Sequence, residues 1–460
     1  MEQQLILDDA LIAKYDQSGP RYTSYPTAVQ FHDGFTADDY AQIARDTNAS
    51  GRPLSLYFHI PFCDTICFYC ACNKVATKDR SKGDEYLQRL YREIALQGEL
   101  FDRSRPVEQL HWGGGTPTFI SHAEMRELMR VTGEHFQLLP DDQGEYSIEI
   151  DPREATAETV GVLREIGFNR MSLGVQDFDP RVQKAVNRIQ SEEETLAVLN
   201  AARAEGFRSV SIDLIYGLPH QTRESFENTL ERIIDVGPDR LSVFNYAHLP
   251  QIFKPQRRIE VNELPPPEVK LEILHMTAAK LAAAGYVYIG MDHFAKPDDE
   301  LAVAQREGTL YRNFQGYSTH SNCDLVGMGI TSIGSVGNCY AQNLKGLDDY
   351  YQAIDAGQLA VFRGVRLSKD DELRRDVITR IICNFSLDFS AVEKQWNIDF
   401  KDYFGPELEQ LAGMVDDGLL EIRDSGIQVL PVGRMLIRNI CMVFDAYLKD
   451  SKGQRFSKVI

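Results

Sequence analysis

The chain has 460 residues, of which 43% are hydrophobic and 25% are charged, and its formal net charge is −19 at pH 7. This composition is typical of globular proteins, and the length predicts about two to four domains or one large barrel with additions. Because nucleic-acid-binding proteins present a basic face, the acidic balance excludes general nucleic-acid binding. An anionic ligand would be repelled at long range and would need a local basic pocket.

The sequence predicts neither a signal peptide nor a membrane span. The first residues, MEQQLILDDALIAKYD, lack a basic region and a sustained apolar core. No stretch approaches the roughly 18 to 20 apolar residues of a membrane helix. We therefore expect a cytoplasmic protein, in which thiols stay reduced.

Strand and helix patterns alternate along most of the chain, after an extension at 1–53 that contains SGPRYTSYPTA. Strands are predicted at 54–60, 107–115, 145–151, 170–177, 209–217 and 240–247, with a seventh candidate at 286–294. Helices are predicted near 84–101, 122–137, 155–166, 191–206, 223–235 and 266–284, with caps at Ser121, Thr156 and Ser191. Such βα units imply a parallel sheet, as an open doubly wound sheet or a full or partial (β/α) barrel.

The unusual residues fall at the ends of the predicted strands. Cysteines follow the first strand, Gly113–Gly115 follow the second, and Glu149 and Asp151 lie in the third. Gln176 and Asp213 lie near the ends of the next two strands. Because parallel α/β folds bind ligands at the C-terminal ends of their strands, we expect one shared site there.

The C-terminal part has a different pattern. It predicts a helix at 369–384, further helices, two short strands around Asp424 to Gly426, and a last helix, which is typical of a small winged-helix-like module. The acidic chain favours a packing role over DNA binding. The predicted organisation is an N-terminal extension at 1–53, an α/β barrel domain with a substrate-site extension at 54–365, and a mainly helical domain at 366–460.

Four of the eight cysteines lie within ten positions, in FHIPFCDTICFYCACNK. Cys63, Cys67 and Cys70 have the spacing C-x3-C-x2-C, which suits either zinc or an iron–sulfur cluster. Zinc would need Cys72 or His59 as a fourth ligand, and two cysteines one residue apart make a relaxed tetrahedral cage awkward. A [4Fe–4S] cluster held by three cysteines would leave one iron open for a substrate or cosubstrate. The apolar surroundings favour the cluster.

This spacing after a first strand resembles the radical S-adenosylmethionine (SAM) superfamily, and GGGTPT at 113–118 resembles its second signature. The triplet is not a phosphate loop, because no Gly-Lys-Ser/Thr follows. The resemblance implies that Cys63, Cys67 and Cys70 bind one [4Fe–4S] cluster. It also implies that SAM chelates the fourth iron and that the reduced cluster splits it into a 5′-deoxyadenosyl radical.

Longer motifs narrow the resemblance. GPRYTSYPTA, HWGGGTPT, SIDLIYGLP, DRLSVFNYAHLP, GMDHFAKPDDELA and RNFQGYST are similar to segments of the oxygen-independent coproporphyrinogen III oxidases. That family implies a partial (β/α)6-type barrel and two SAM molecules. We also expect a monomer and an electron donor of unknown identity. The implied reaction converts two propionates of coproporphyrinogen III into vinyl groups, which gives protoporphyrinogen IX for haem biosynthesis.

The resemblance also implies the residues around the cosubstrates. The cluster-bound SAM would lie near Tyr57, Gly114, Glu149 and Ile333, and Tyr57 and Glu149 join the three cysteines as catalytic residues. The second SAM would lie near Tyr69, Gly115, Thr116, Gln176, Arg188, Asp213 and Ala247. Arg188 suits a carboxylate, and Asp213 suits an amine or a ribose. For Gln176 and Asp213, a strand-end side chain held by the backbone is the alternative.

Three further roles stay open at this point. Cys72 matches the CxC ending of the family motif and suits either packing or catalysis. Arg21, Lys74, Arg258, Lys296 and Arg312 are candidates to bind the propionates, with a surface role as the alternative for each. Tyr22 and Tyr25 in the N-terminal extension predict a lid that excludes water from a radical, against a disordered leader.

Two other functions compete with this interpretation. A haem chaperone of the same superfamily keeps the cysteine motif, but it usually lacks the GPRYTSYPT leader and the CxC ending. A simple iron–sulfur electron carrier would not need a βα chain of this length.

Overall fold

The computed structural model describes residues 5–140 and 142–450. The predicted N-terminal extension begins before this part of the chain, and the predicted C-terminal domain ends after it. The chain forms two compact units. The barrel unit comprises Phe31–Met276 and Asn322–Arg366, and the composite unit comprises Met1–Gln30, Thr277–Ser321 and Leu367–Ile460. These units interleave along the chain, whereas the predicted domains are consecutive, and the predicted boundaries stay a prediction.

Strands and helices alternate through the first half of the chain. The strands are β1 Leu54–Ile60, β2 Phe62–Cys63, β3 Val75–Ala76, β4 Pro106–Gly114, β5 Gln137–Leu138, β6 Glu145–Ile150, β7 Arg170–Gln176, β8 Ser209–Tyr216, β9 Arg240–Asn245, β10 Val287–Gly290, β11 His293–Ala295, β12 Tyr311–Asn313, β13 Gly316–Ser318, β14 Asp324–Met328, β15 Ile333–Val336, β16 Cys339–Asn343, β17 Val361–Arg366, β18 Ser386–Asp388, β19 Leu420–Arg423 and β20 Gly426–Val429. The α-helices are α1 Asp9–Tyr15, α2 Ala37–Asp46, α3 Ser81–Gly98, α4 His122–His135, α5 Ala157–Glu165, α6 Pro180–Ala185, α7 Glu192–Ala204, α8 Arg223–Val236, α9 Pro267–Ala283, α10 Glu300–Glu307, α11 Leu347–Asp355, α12 Lys369–Asn384, α13 Phe389–Trp396, α14 Phe400–Tyr403, α15 Gly405–Gln410, α16 Ala412–Asp416 and α17 Ile437–Val443.

Six parallel strands form the centre of the barrel unit. They pair in the order β1, β4, β6, β7, β8 and β9, which is also their order along the chain. A doubly wound sheet reverses its strand order at a switch point, and this series does not. The series therefore has the winding of a (β/α)6 barrel, in which all six C-terminal strand ends lie at one edge.

The strands are apolar because helices cover the sheet. Leu56, Phe58, Leu110 and Trp112 are fully buried in β1 and β4, as expected for parallel strands. The connecting helices α4, α5 and α7 begin at capping boxes, which confirms the predicted caps Ser121, Thr156 and Ser191. Each cap accepts a backbone N–H of the first turn and so satisfies one otherwise unpaired donor.

Four strands beyond the predicted series extend the sheet on the other side of β1. β14 runs parallel to β1, and β15, β16 and β17 follow as antiparallel neighbours. The segment LVGMGITSIGSVG, which contains most of β14 and all of β15, is short and rich in glycine, without strand alternation, so the sequence did not predict these two strands. Strands β16 and β17 were not predicted either. The four strands bring Ile333, the first residue of β15, into the barrel unit.

The prediction of a seventh strand at 286–294 is wrong, because this segment is not one continuous strand. The segment is an antiparallel hairpin in the composite unit, with Val287 opposite Ala295. The chain reverses at Gly290 and Met291, which have φ values of 139° and 54°. A strand cannot continue through two residues with positive φ. The hydrophobic residues around this turn made the segment look like one strand in the sequence.

The C-terminal part of the composite unit agrees with the predicted elements. Helix α12 spans the predicted 369–384, and β19 and β20 pair across Asp424 and Ser425. A third strand, β18, was not predicted and pairs with β20. No helix among the described residues is long and apolar enough to cross a membrane.

The N-terminal leader packs on the C-terminal residues inside the composite unit. The Tyr22 hydroxyl donates a 3.0 Å hydrogen bond to Asp445, and the Tyr25 hydroxyl accepts one of 3.1 Å from the N–H of Ala446. Both tyrosines are buried. The lid role of this leader stays a prediction.

Candidate active site

The cysteines lie on a closed loop after β1. The strands β2 and β3 pair in parallel and join Phe62 to Val75, and the N–H of Thr77 donates a 2.9 Å hydrogen bond to the carbonyl of Cys63. We call residues 62–76 the cysteine loop. This pairing fixes the two ends of the cysteine loop next to each other. The residues between the two short strands therefore lie together at the end of β1.

Neighbouring connections hold the far side of the cysteine loop. Asn187 donates a 2.8 Å hydrogen bond to the carbonyl of Ile66, and Gln256 donates one of 2.9 Å to the carbonyl of Tyr69. Phe68 and Tyr69 pack against a buried apolar cluster that consists of Val182, Val186, Leu218, Tyr246 and Ile259. The loop is thus anchored to the segments that follow β7, β8 and β9.

The three predicted ligand cysteines are free thiols with polar neighbours. The Thr116 hydroxyl lies 3.6 Å from Sγ of Cys63. Guanidinium groups of Arg153 and Arg188 lie 3.7 and 3.5 Å from Sγ of Cys67. Cationic donors favour the thiolate over the thiol, and thiolates are the ligands of iron–sulfur clusters. The donor set therefore fits a [4Fe–4S] cluster.

Cys70 and Cys72 differ in their chemistry. A hydrogen bond from the Cys72 thiol, together with the nearby charge of Lys74, lowers the pKa of Cys70 to about 5 although burial opposes the shift. The same pair raises the pKa of Cys72. Burial raises the pKa of Cys63 to about 11, against the hydrogen bond from Thr116. The two shifts favour the proton on Cys72 and the thiolate on Cys70.

The glycine triplet lets β4 approach the end of β1 closely. A Cβ at Gly114, where φ is 117°, would lie 2.8 Å from Cε1 of His59. A Cβ at Gly115 would lie 2.6 Å from the carbonyl oxygen of Phe62. Real Cβ contacts are not this short, so the close approach requires glycine at both positions.

Glu149 lies against this triplet at the end of β6. The N–H of Gly114 donates a 3.1 Å hydrogen bond to its Oε2, and Nε2 of His111 lies 3.5 Å from its Oε1. The ring of His111 is hydrogen-bonded to Ser147 at 2.6 Å and stacks on Tyr57 at 5.9 Å. Desolvation disfavours the carboxylate, but the contacts with His111 and Gly114 outweigh it and lower the pKa of Glu149. The site thus presents a carboxylate, as a ligand amine or sulfonium requires.

A second polar group follows β6 and β7. Arg188 donates a 2.8 Å hydrogen bond to Asp151 and a further one to the carbonyl of Gly174, and Arg153 also pairs with Asp151. Arg188 is buried, and its Nε has no hydrogen-bond partner among the described residues. A buried guanidinium donor without an acceptor suits an anionic ligand.

Two further polar side chains lie on neighbouring strands, Gln176 at the end of β7 and Asp213 on β8. Gln176 has a φ of 69°, and its buried Oε1 has no partner in the described part of the chain. Asp213 accepts a 2.9 Å hydrogen bond from Ser172. Burial raises the pKa of Asp213 to about 6, against hydrogen bonds from Ser242 and Ser172. Strained backbone and unpaired polar atoms are typical of ligand sites.

The other predicted site residues occupy the same unit. Tyr69 lies in the cysteine loop, Ala247 is exposed just after β9, and Ile333 begins β15. A Cβ at Gly327 would lie 2.9 Å from the carbonyl carbon of Ile333, so β14 and β15 meet closely there. The roles of all these residues stay predictions.

Three residues that contact the predicted ones were not predicted from the sequence: His111, Arg153 and Ser172. His59 was considered only as a zinc ligand, and in the structure its ring lies against Gly114. The signal for His111 was present, because it precedes the glycine triplet by two positions on the predicted strand. Alternation places it on the same face as Gly113. No comparable signal identified Arg153 or Ser172, since their contacts depend on neighbouring strands.

The five basic candidates have different surroundings. Lys74 donates a 3.3 Å hydrogen bond to the carbonyl of Cys70, and Arg258 lies over the ring of Phe68 at 5.1 Å. Both belong to the barrel unit. Arg21, Lys296 and Arg312 belong to the composite unit, where Arg21 pairs with Asp292.

Two family models match the chain. Residues 57–233 match the radical SAM superfamily, and residues 367–436 match the HemN C-terminal domain. The first match covers the cysteine loop, the glycine triplet, Glu149 and Asp213. Members of the superfamily use a [4Fe–4S] cluster and SAM, and the donor set described above suits both.

Relatives of full length are also found. The oxygen-independent coproporphyrinogen III oxidase of Pseudomonas aeruginosa is 56% identical over 98% of both chains, and that of Escherichia coli is 54% identical over 100% of this chain and 99% of its own. The solved structure of coproporphyrinogen III oxidase from Escherichia coli, described as a radical SAM enzyme, superposes with a TM-score of 0.92 over 97% of this chain and 100% of that one. The predicted fold class and family are confirmed, and the chain belongs to the oxygen-independent coproporphyrinogen III oxidases of the radical SAM superfamily.

Proposed function

We propose that the protein oxidatively decarboxylates two propionate side chains of coproporphyrinogen III to vinyl groups and so forms protoporphyrinogen IX. One observation carries this proposal in a chain of this family. The glycine triplet lies between the closed cysteine loop and Glu149, and the N–H of Gly114 donates a hydrogen bond to the Glu149 carboxylate. Each propionate loses one hydrogen atom from its β-carbon, its carboxylate as CO2, and one electron to an acceptor.

We propose Cys63, Cys67 and Cys70 as the cluster ligands. When bound, the reduced cluster supplies the electron that cleaves SAM and makes the hydrogen-abstracting radical. Glu149 would hold the amino group of SAM, because His111 and the N–H of Gly114 keep its carboxylate ionised. Tyr57 and Ile333 would line the same position, and Tyr57 also fixes the orientation of the His111 ring by stacking.

A second SAM molecule would occupy the group around Arg188 and Asp213. The unpaired Nε of Arg188 would meet its carboxylate, and the unpaired Oε1 of Gln176 would accept from an amine or a hydroxyl. Asp213 would accept a further hydrogen bond from the ribose or the amine. The remaining residues proposed for this molecule are Tyr69, Gly115, Thr116 and Ala247.

Two SAM molecules give a simple stoichiometry. One hydrogen atom is removed for each vinyl group, so two molecules of 5′-deoxyadenosine should form for each protoporphyrinogen IX. The electron donor, a cytoplasmic location, a monomeric state and the lid role of residues 1–53 belong to the same proposal. The three-domain organisation predicted from the sequence is part of it as well.

The test is anaerobic reconstitution with iron and sulfide, followed by dithionite, SAM and coproporphyrinogen III. We expect two successive losses of one CO2 and two hydrogens in the tetrapyrrole mass, with matching 5′-deoxyadenosine. Cys67→Ala is the control that should form neither product. Tight binding of haem without any decarboxylation would reject the proposal in favour of a haem chaperone.

A further inference from the structure

One arginine of the composite unit is buried without a counter-ion. Arg312, in the middle of β12, is 6% exposed, and its Nη1 has no hydrogen-bond partner among the described residues. Its Nε contacts the carbonyl of Arg21 at 3.4 Å, and its guanidinium lies over the ring of Tyr317 at 4.7 Å. Neither neighbour is an anion, and no carboxylate among the described residues forms an ion pair with Arg312.

Such an arrangement is costly in a folded protein. Burying a charge without a partner removes its hydration and replaces it with nothing of equal strength. A chain with a net charge of −19 has many carboxylates that could have been placed there. Among the described residues none of them forms an ion pair with Arg312, and the acidic residue of this group, Asp292, pairs with Arg21 instead.

Two more arginines add positive charge around Arg312. Arg21 pairs with Asp292, and Arg438 donates hydrogen bonds to the carbonyls of Gly19 and Pro20, just before Arg21. Burial and then the charges of Arg21 and Arg312 lower the pKa of Arg438 to about 10, and Asp292 opposes the shift only in part. A negative ligand would therefore be attracted to this group.

We propose that Arg312 and Arg21 form a carboxylate-binding site for a propionate side chain of the tetrapyrrole substrate, with Arg438 as the residue that positions Arg21. This inference rests on the proposed function, because that function supplies a tetracarboxylate. A planar guanidinium matches a carboxylate in two parallel hydrogen bonds, and Nη1 of Arg312 is the donor available for it. In the unliganded chain, Asp292 is the ion-pair partner of Arg21.

A ligand-binding role and a structural role of Arg312 predict different effects of its replacement on protein stability. An arginine that only supports the fold should destabilise the protein when it is replaced. An arginine that waits for a ligand carries an uncompensated charge, so an apolar residue of similar length should leave the unliganded protein as stable or more stable. Arg312→Met should therefore weaken ligand binding without lowering the thermal unfolding midpoint.

The test measures the binding of coproporphyrin III, the stable oxidised tetracarboxylate, to the full chain by fluorescence titration. We expect Arg312→Met to raise Kd about tenfold, as for the loss of a charged hydrogen bond, and to reduce the rise in unfolding midpoint at a given ligand concentration by the corresponding amount. Arg306 is an exposed arginine of α10 that donates a hydrogen bond to the carbonyl of Pro297. Arg306→Met is the matched control and should keep the wild-type Kd.

Three results would overturn the inference. The first is an unchanged Kd in a folded Arg312→Met protein. The second applies if that variant does not fold: Arg312→Lys keeps the charge but loses the planar fork, and an unchanged Kd in it would contradict the proposal. The third is equal stabilisation by millimolar sulfate and by coproporphyrin III, which would identify a general inorganic anion site.

This experiment can fail independently of the proposed function, because coproporphyrin III binding needs no cluster and no SAM. Decarboxylation by a protein whose affinity does not depend on Arg312 would keep the proposed function and remove this site. Arginine-dependent binding without decarboxylation would keep the site and reject the proposed reaction.

Discussion

The N–H of Gly114 donates a hydrogen bond to Oε2 of Glu149 at 3.1 Å, across two strands that pair directly. Gly114 has to approach His59 closely, and Glu149 carries the carboxylate proposed to bind SAM. The hydrogen bond links these two features. The backbone conformation at Gly114 therefore determines where that carboxylate lies relative to the end of β1.

Replacement of Gly114 tests this contact. Gly114→Ala should lower the rate of SAM cleavage about a hundredfold, because a displacement near 1 Å at a reacting centre has that effect. The measurement is 5′-deoxyadenosine formation with a reconstituted cluster. Gly206→Ala is the matched control: φ is 76° there and nothing lies within 4 Å of the added Cβ. It should cost about 1 kcal/mol of stability and leave cleavage unchanged. Equal activity in the two variants would contradict the prediction.

The cysteines should divide into three ligands and one neighbour. Cys63→Ser, Cys67→Ser and Cys70→Ser should each lose the cluster, because a serine hydroxyl is not ionised at neutral pH. Cys72→Ser should retain it, since Cys72 only donates to Cys70. Iron and sulfide analysis after anaerobic reconstitution, with the visible absorption spectrum, decides the question. Loss of iron in the Cys72→Ser protein would make Cys72 a ligand.

Asp213 should make stability depend on pH. Its pKa rises from 3.8 to about 6 in the folded chain, so between these values the folded state binds a proton that the unfolded state has lost. Raising the pH through this window lowers the free energy of unfolding. Asp213→Asn should remove that loss and be more stable than wild type at pH 8 by at most about 3 kcal/mol, since one pKa unit corresponds to about 1.4 kcal/mol.

Urea unfolding of the cluster-free chain between pH 4 and 8 measures the effect of Asp213. The difference between wild type and variant should grow with pH and level off above the folded pKa. Asp235→Asn, an exposed change on α8, should give no such difference. A pH-independent difference for Asp213→Asn would show that its carboxyl is not perturbed.

Glu93 should stabilise the turn before Ile333. Its fully buried carboxylate accepts hydrogen bonds from Gly329 N–H and the Tyr350 hydroxyl, both at 2.7 Å, and from Asn343 at 2.6 Å. Glu93→Ala should lower the free energy of unfolding by about 3 kcal/mol because three buried donors lose their acceptor. Glu85→Ala, an exposed ion-paired residue on the same helix, should change it by less than about 0.5 kcal/mol. Urea titration measures both, and equal effects would exclude the role of this contact.

Much of the barrel unit could be predicted because its signals are local. The hydrophobic runs of the six parallel strands, β1, β4, β6, β7, β8 and β9, are visible in the sequence. The caps at Ser121 and Ser191 also follow from residues within a few positions of the helix start. The hairpin at Val287 to Ala295 was misread for the opposite reason, since no Gly-rich doublet marked its turn. Strands β14 to β17 depend on pairing with β1 and on each other, and short glycine-rich runs do not carry that information.

By itself the sequence determined the succession of strands and helices along the barrel, the cysteine spacing and the glycine triplet, because each depends on neighbouring residues whose geometry the backbone limits. The tertiary structure alone decided which distant groups meet. Arg188 reaches Cys67 across 121 positions, and His111 reaches Glu149 across 38. It also left Nη1 of Arg312 without an acceptor among the described residues. Such contacts depend on how separate strands and loops pack, and no local pattern records that packing.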